Sequence, residues 1–296
     1  MKARTRAELY LLSITLIWGS TFVITKGALQ DVSPFLYTAL RFTTAALLLG
    51  MLAIRAVAQT TRGSFTKGGI LGVLLFVGFI LQTVGLQYTS ASKSAFITGM
   101  LVVLTPICQI VIERRPPQLG NLLGIVLVTI GLYLLTSPEG SEFNIGDLLT
   151  LGCALCFALY IVYLDIFSQE HNPIQLTFHQ SLVSGLLAFL GVLVYEEVVW
   201  NPTPQLLGAL AYLTVFATLI ALFVQVKYQK DTTPTRAAVI FSVEPVFAAI
   251  FAYFFAGEVI GAIGAVGGGL IVTGMLVSEL SDVLLPRTQN KELDRL

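Results

Sequence analysis

Along the 296 residues of the chain, apolar positions come in blocks about as long as a bilayer is thick, and polar positions collect between the blocks. A helix rises about 1.5 Å per residue, so about 20 mostly apolar residues carry it across a hydrocarbon core of about 30 Å. By that measure the pattern predicts about ten transmembrane helices. The first five run approximately from Leu9 to Lys26, Pro34 to Ile54, Lys67 to Tyr88, Ser92 to Ile112 and Leu119 to Thr136. The second five run from Gly146 to Phe167, Pro173 to Tyr195, Pro204 to Val226, Thr232 to Phe255 and Glu258 to Ser278. Turn formers mark short connections at Asp31 to Pro34, Arg115 to Pro117, Ser137 to Gly140, His171 to Pro173 and Asn201 to Pro204. No room remains for a soluble domain, and the fold class expected is an all-α integral membrane protein.

Composition agrees. Charged residues make up 11% of the chain and hydrophobic ones 55%, whereas a soluble domain carries about 25% charged residues. The net charge of zero removes the basic excess on which nucleic-acid binding depends, so no nucleic-acid partner is expected. With three cysteines and two histidines, neither a disulfide scaffold nor a His-rich metal centre is expected, and no cofactor is called for. Cys153 and Cys156 have a redox or metal spacing but lie in an apolar helix with no second pair, and read as filler.

The distribution of charge says more than its sum. With the N-terminus inside, thirteen of the 17 Lys and Arg fall on cytoplasmic stretches: Lys2, Arg4, Arg6, Arg55, Arg62, Lys67, Arg114, Arg115, Lys227, Lys230, Arg287, Lys291 and Arg295. Lys26 and Lys93 fall outside, and Arg41 and Arg236 within spans. That bias places both termini in the cytoplasm of a multi-pass cell-membrane protein. The first apolar run lacks a small-residue cleavage site and reads as a retained helix rather than a secretory signal.

The second half repeats the first. A displacement of about 143 pairs Gln82 with Gln225, Thr89 with Thr232, Lys93 with Arg236, Ile97 with Ile240, Gly124 with Gly267 and Gly131 with Gly274. A displacement of about 139 pairs Pro34 with Pro173 and Thr38 with Thr177. The expected units are residues 1–137 and 138–280, each with five helices, followed by a polar cytoplasmic tail over 281–296. Five is odd, so the second unit enters the membrane upside down. Inverted repeats of this kind are an architecture of secondary transporters, because two near-equivalent halves can exchange conformations.

Few ions remain inside the bilayer. Glu244 lies near the midplane of the ninth span, where a carboxylate costs about 2.5 kcal/mol or more on insertion scales for Asp, so it should face a cavity or a partner. It reads either as a proton or ammonium site or as a structural acid paired with Arg41 or a neighbouring helix. Pro245 beside it removes a backbone hydrogen bond and frees carbonyls, and Pro106 does so in the fourth span; both are hinge candidates. Arg41 could bind a substrate carboxylate, or snorkel to the headgroups. Tyr37 shares its face. His179 could titrate near neutral pH, or bond across a helix interface. Lys93 and Arg236, at matching repeat positions on opposite faces, read as symmetric gates or as snorkelling cations. Trp18, Thr21, Phe22 and Thr25 form one face of the first span, and Ser94, Thr98 and Thr105 a polar stripe on the fourth. Gln82, Gln225, Phe157 and Tyr160 complete the cavity candidates. Glycines in the fifth and tenth spans, from Gly120 and Gly124 to Gly261, Gly264, Gly267, Gly268 and Gly269, suit close helix packing or a homodimer face.

Trp18, Gly19, Ser20, Thr21 and Phe22 with Lys26, Arg41 with Phe42, Glu244 with Pro245, and Phe255, Ala256, Gly257 and Glu258 resemble the drug/metabolite transporter superfamily, specifically its EamA branch. The likeness spans nearly the whole chain. It implies a proton-coupled or facilitated carrier, often an exporter of amino acids or related metabolites, with a central cavity between the halves. Gln180 stands where the repeat would put a second Arg41, so the halves are not chemically equivalent. A channel-like permease and a carrier of organic anions or nucleotide-type solutes are the alternatives, and an enzyme is not expected, since no hydrolase or metalloprotease motif occurs.

Overall fold

A computed structural model describes residues 3–114, 117, 119–136, 144–256 and 261–284. The first half contains α1 (Ala3–Ala28), α2 (Pro34–Leu52), a short α3 (Ile54–Ala58), α4 (Arg62–Tyr88), α5 (Ala91–Gly99), α6 (Leu101–Glu113) and α7 (Leu119–Thr136). The second contains α8 (Ile145–Ser168), α9 (Pro173–Tyr195), α10 (Pro204–Tyr212), α11 (Ala221–Tyr228), α12 (Pro234–Phe241), α13 (Glu244–Ala256) and α14 (Ala262–Leu284). A π-helical stretch, Leu213–Ile220, joins α10 to α11. Among the described residues the only strand-like pairing is one antiparallel bridge between Val32 and Trp200.

Among the described residues, eight units are long and apolar enough to cross a membrane, and shorter apolar helices cover Gly120–Leu134 and Ala262–Ser278. The protein is an all-α, multi-pass membrane protein, and these eight units with the two shorter apolar helices match the ten expected spans in number among the described residues. The expected helix start at Glu258, the motif residue Gly257, the 137/138 boundary and residues 285–296 lie outside the described residues. α14 continues to Leu284, past the expected start of the tail at 281. Prolines open α2, α9, α10 and α12, where a missing N–H costs nothing. Asn172, Thr203 and Thr233 cap the last three by accepting a backbone N–H.

The fourth and ninth spans are both broken, at places the repeat relates. In the fourth, Met100 donates to the Ile97 carbonyl and Val103 to that of Met100; in the ninth, Val243 donates to Ile240 and Val246 to Val243. These three-residue closures tighten one turn in each span, at positions 143 apart. Neither break falls on a proline. Pro106 sits inside α6 and Pro245 is the second residue of α13.

The buried core is central. Leu11, Ile14, Phe42, Leu71, Leu75, Leu101, Ile161, Leu222 and Phe241 pack in one cluster drawn from both halves. Large apolar side chains such as Leu52, Leu193 and Phe255 point outward, as a lipid-facing surface requires. The small-residue faces of α7 and α14 are turned on each other: a Cβ on Gly131 would stand 2.6 Å from the Gly267 carbonyl, and one on Gly124 2.7 Å from that of Gly274. Gly131→Ala is therefore expected to cost about 1–3 kcal/mol of stability, read as a lower thermal midpoint. Gly269→Ala, where the added methyl meets open space, should leave that midpoint unchanged.

Candidate functional site

Between the halves lies a partly open cavity lined by side chains from both. Its walls are Trp18, Thr21, Arg41, Leu75, Phe79, Gln82, Thr98, Leu101, Phe157, Tyr160, Ile161, Leu222, Gln225, Phe241 and Glu244. Twelve of these fifteen fall into pairs related by the repeat: Trp18 with Phe157, Thr21 with Tyr160, Phe79 with Leu222, Gln82 with Gln225, Thr98 with Phe241, and Leu101 with Glu244. The cavity thus sits where the two halves face each other. Five of its side chains are aromatic, so its walls offer ring faces as well as polar atoms.

Charge breaks this symmetry. Glu244 is the first residue of α13, so the break in the ninth span places it at a helix N-terminus, where the backbone dipole favours a negative charge. Leu101 occupies the same position in the first half, at the head of α6. Among the described residues, no side chain hydrogen-bonds or ion-pairs with the Glu244 carboxylate. The expected alternative of a structural pair with Arg41 is not what the structure contains, although both side chains line the same cavity.

Arg41 points inward rather than to the headgroups and is 3% exposed. Its Nε donates to the Thr218 hydroxyl, and its Nη1 to the Tyr37 hydroxyl at 3.3 Å. Tyr37 in turn bonds to Thr25 at 2.8 Å. The guanidinium stands 4.9 Å from the Phe79 ring centroid and 5.7 Å from that of Phe42. Among the described residues, no carboxylate pairs with it. The π-helical stretch supplies Thr218, whose hydroxyl also donates to the Leu213 carbonyl at 2.9 Å. The indole N–H of Trp18 satisfies another carbonyl of that stretch, Ala217, at 3.0 Å. π-helical turns recur at functional sites because they redirect side chains in this way. The equivalent segment of α4 is regular, so the π-helical stretch, like Arg41, is peculiar to one half.

Of the residues expected at the cavity, Trp18, Thr21, Arg41, Gln82, Thr98, Tyr160, Gln225 and Glu244 line it. Gln82 donates to Thr98 at 3.1 Å, and Tyr160 donates to Gln180 at 3.0 Å. Three are placed elsewhere. Phe22 packs with Leu86, Ala91, Ala95 and Ala248. Tyr37 stands behind Arg41 as its support. His179 hydrogen-bonds Thr60 at 3.0 Å and is flanked by the rings of Phe65 and Phe178, which makes it an interface residue. Lys93 and Arg236 are not at headgroup level alone: Lys93 reaches Asp147 at 2.6 Å and Arg236 reaches Glu8 at 3.7 Å. Phe79, Leu222, Phe241 and Thr218 were not expected; the repeat displacement applied to Thr98 points to Phe241, while Phe79 and Leu222 are each other's partners.

The profile of the EamA-like transporter family matches this chain twice, over residues 5–137 and 144–280. An uncharacterized transporter of Archaeoglobus fulgidus is 33% identical over 277 residues, covering 94% of this chain and 87% of that protein. An S-adenosylmethionine/S-adenosylhomocysteine transporter of Chlamydia muridarum is 27% identical over 269 residues, covering 82% and 81%. A crystal structure of another protein, 20% identical, superposes with a TM-score of 0.79 over 96% of this chain and all of that one, a likeness of fold.

Proposed function

From the premise that the chain belongs to the EamA-like transporter family, we propose that it is a secondary carrier that exports a small zwitterionic metabolite, of the amino-acid kind, by alternating access. The observation that carries this reading is the pair Arg41 and Glu244. In a cavity where twelve of fifteen wall residues pair through the repeat, they are the two charged residues, of opposite sign and without a charged partner among the described residues. A guanidinium fork suits a carboxylate, and a carboxylate suits an ammonium. Burying an ion without compensation is costly, so a ligand that brings both counter-charges gains most from this site.

Glu244 doubles as the coupling site in this reading. A carboxyl group that takes a proton gives up its hold on an ammonium, which ties substrate release to proton uptake. Pro245, Pro106 and the tightened turns at Met100 and Val243 are the hinge positions. The units are residues 1–137 and 138–280, with both termini in the cytoplasm and the chain in the cell membrane; the double family match and the bias of Lys and Arg support this. Five aromatic wall residues favour a second form of the same reading, a zwitterion carrying a nucleoside or other ring. The relative that transports S-adenosylmethionine supports that form.

A thermal-shift screen of the purified protein against amino acids, S-adenosylhomocysteine, adenosine and organic acids tests the substrate class. Saturating ligand at a hundred times its Kd stabilises the folded state by about 2.7 kcal/mol. Compounds with both an ammonium and a carboxylate are expected to raise the midpoint. Stabilisation by organic anions alone, with zwitterions inert, would reject the assignment.

A further inference from the structure

Glu8 and Asp147 stand 139 residues apart, the displacement that also relates Pro34 to Pro173. Each carboxylate anchors a cluster at one end of the bundle. At one end Asp147 lies 2.6 Å from Lys93 Nζ and accepts from the Thr89 hydroxyl at 2.8 Å. It also accepts from the backbone N–H of Asn144 at 2.9 Å, closing the cap of α8. The Thr89 carbonyl takes a further bond from Lys26, at 2.7 Å. At the other end Glu8 lies 3.7 Å from the Arg236 guanidinium, and accepts from Thr232 at 3.3 Å and Arg4 at 2.8 Å. Thr89 maps onto Thr232, Lys93 onto Arg236 and Asp147 onto Glu8. The two clusters are one device built twice.

Their burial excludes a mere reach for headgroups. Asp147 is wholly buried and Arg236 is 1% exposed. Both cations sit in the first turn of a helix, where the backbone dipole disfavours them, so the carboxylate from another span supplies the compensation. The spans they join are the ones that build the cavity. Lys93–Asp147 ties the fourth span, which gives Thr98 and Leu101, to the sixth, which gives Phe157 and Tyr160. Arg236–Glu8 ties the ninth, which gives Phe241 and Glu244, to the first, which gives Trp18 and Thr21. Each cation lies five residues before a cavity residue on its own span, about 7.5 Å along the axis, and each acid ten residues before one, about 15 Å.

We infer that these clusters are symmetry-related latches, and that the carrier opens to one face by parting one latch while the other stays made. Glu8, Asp147, Thr89 and Thr232 are then transport residues, acting through closure of the mouths rather than through contact with substrate. The inference rests on the carrier reading only in needing a passage; it does not depend on the identity of the substrate or on proton coupling. Removing one carboxylate favours the conformation open at that latch's end, and therefore closed at the other.

Cysteine labelling tests it. Thr21→Cys, introduced into a chain in which Cys108, Cys153 and Cys156 are replaced by alanine, reports access to the cavity. A membrane-impermeant maleimide is applied from either face of sealed vesicles of known orientation. Glu8→Gln is expected to raise labelling from the face that carries the N-terminus by about fivefold or more, and to lower it from the other face. Asp147→Asn is expected to do the reverse, and the exchange Lys93→Asp with Asp147→Lys to restore the parental ratio. Should Asp147→Asn not fold, Thr89→Val weakens the same cluster and is expected to shift labelling the same way, by less. Labelling that the latch substitutions do not move, or that both move in one direction, overturns the latches alone. No labelling from either face in any variant overturns the carrier reading and the latches with it.

Discussion

Glu244→Gln is expected to abolish the pH dependence of transport and the ability to concentrate substrate against its gradient, while one-for-one exchange of substrate persists. With the native carboxyl, protonation competes with the substrate ammonium, so apparent affinity weakens as pH falls through the titration of Glu244. Glutamine keeps the shape and some hydrogen-bonding capacity and titrates nowhere in the range. The effect is large because nothing stands in for this carboxyl: its counterpart at the head of α6 is Leu101, and the other ion in the cavity is a permanent cation. With one proton exchanged per substrate, each unit of pH gradient sustains about a tenfold concentration ratio, worth about 1.4 kcal/mol. In Glu244→Gln that ratio should fall to one. Accumulation in proteoliposomes at set inner and outer pH measures it, and unchanged accumulation would remove Glu244 from the coupling step.

Arg41→Gln is expected to weaken binding of a carboxylate-bearing ligand by roughly hundredfold, since truncating one partner of a buried charge pair costs about 2–5 kcal/mol. An amine analogue of the same ligand without its carboxylate should bind both forms equally. That comparison separates a ligand contact from a structural role, because damage to the bundle would weaken both. Arg41→Lys keeps the charge but not the planar fork, and its affinity should fall between the two. Thr218→Val, which frees Nε of Arg41 from its support on the π-helical stretch, should lower affinity for the carboxylate ligand by less than Arg41→Gln does. Ligand titrations followed by intrinsic Trp18 fluorescence report these constants.

The span pattern and the ions left inside the bilayer were legible because hydrocarbon tolerates so few charges. Arg41 and Glu244 stood out on cost alone, and both line the cavity. Facing was harder to read. In a soluble helix a polar side marks the outside, whereas here the lipid-facing and protein-facing sides are both apolar. Phe22 shares a helical face with Trp18 yet packs with Leu86 and Ala248, and His179 turns to Thr60 rather than to the cavity, for this reason. The breaks at Met100 and Val243 carry no proline, and the π-helical stretch Leu213–Ile220 has no glycine or proline, so tertiary packing decides them. The acids Glu8 and Asp147 were legible in principle. The displacement that pairs Pro34 with Pro173 also pairs them, but they lie near helix ends, where an acid draws no notice.

A carrier must pass through a state in which bound ligand is released to one side and replaced before the site returns. The most direct measurement is therefore trans-stimulated exchange in proteoliposomes, using the zwitterion that most raises the thermal midpoint as labelled probe. Uptake is expected to saturate with outside concentration and to rise several-fold when unlabelled probe is loaded inside, with Arg41→Gln moving half-saturation to roughly hundredfold higher concentration. Flux that grows linearly with concentration and ignores the inside load would contradict alternating access through this cavity.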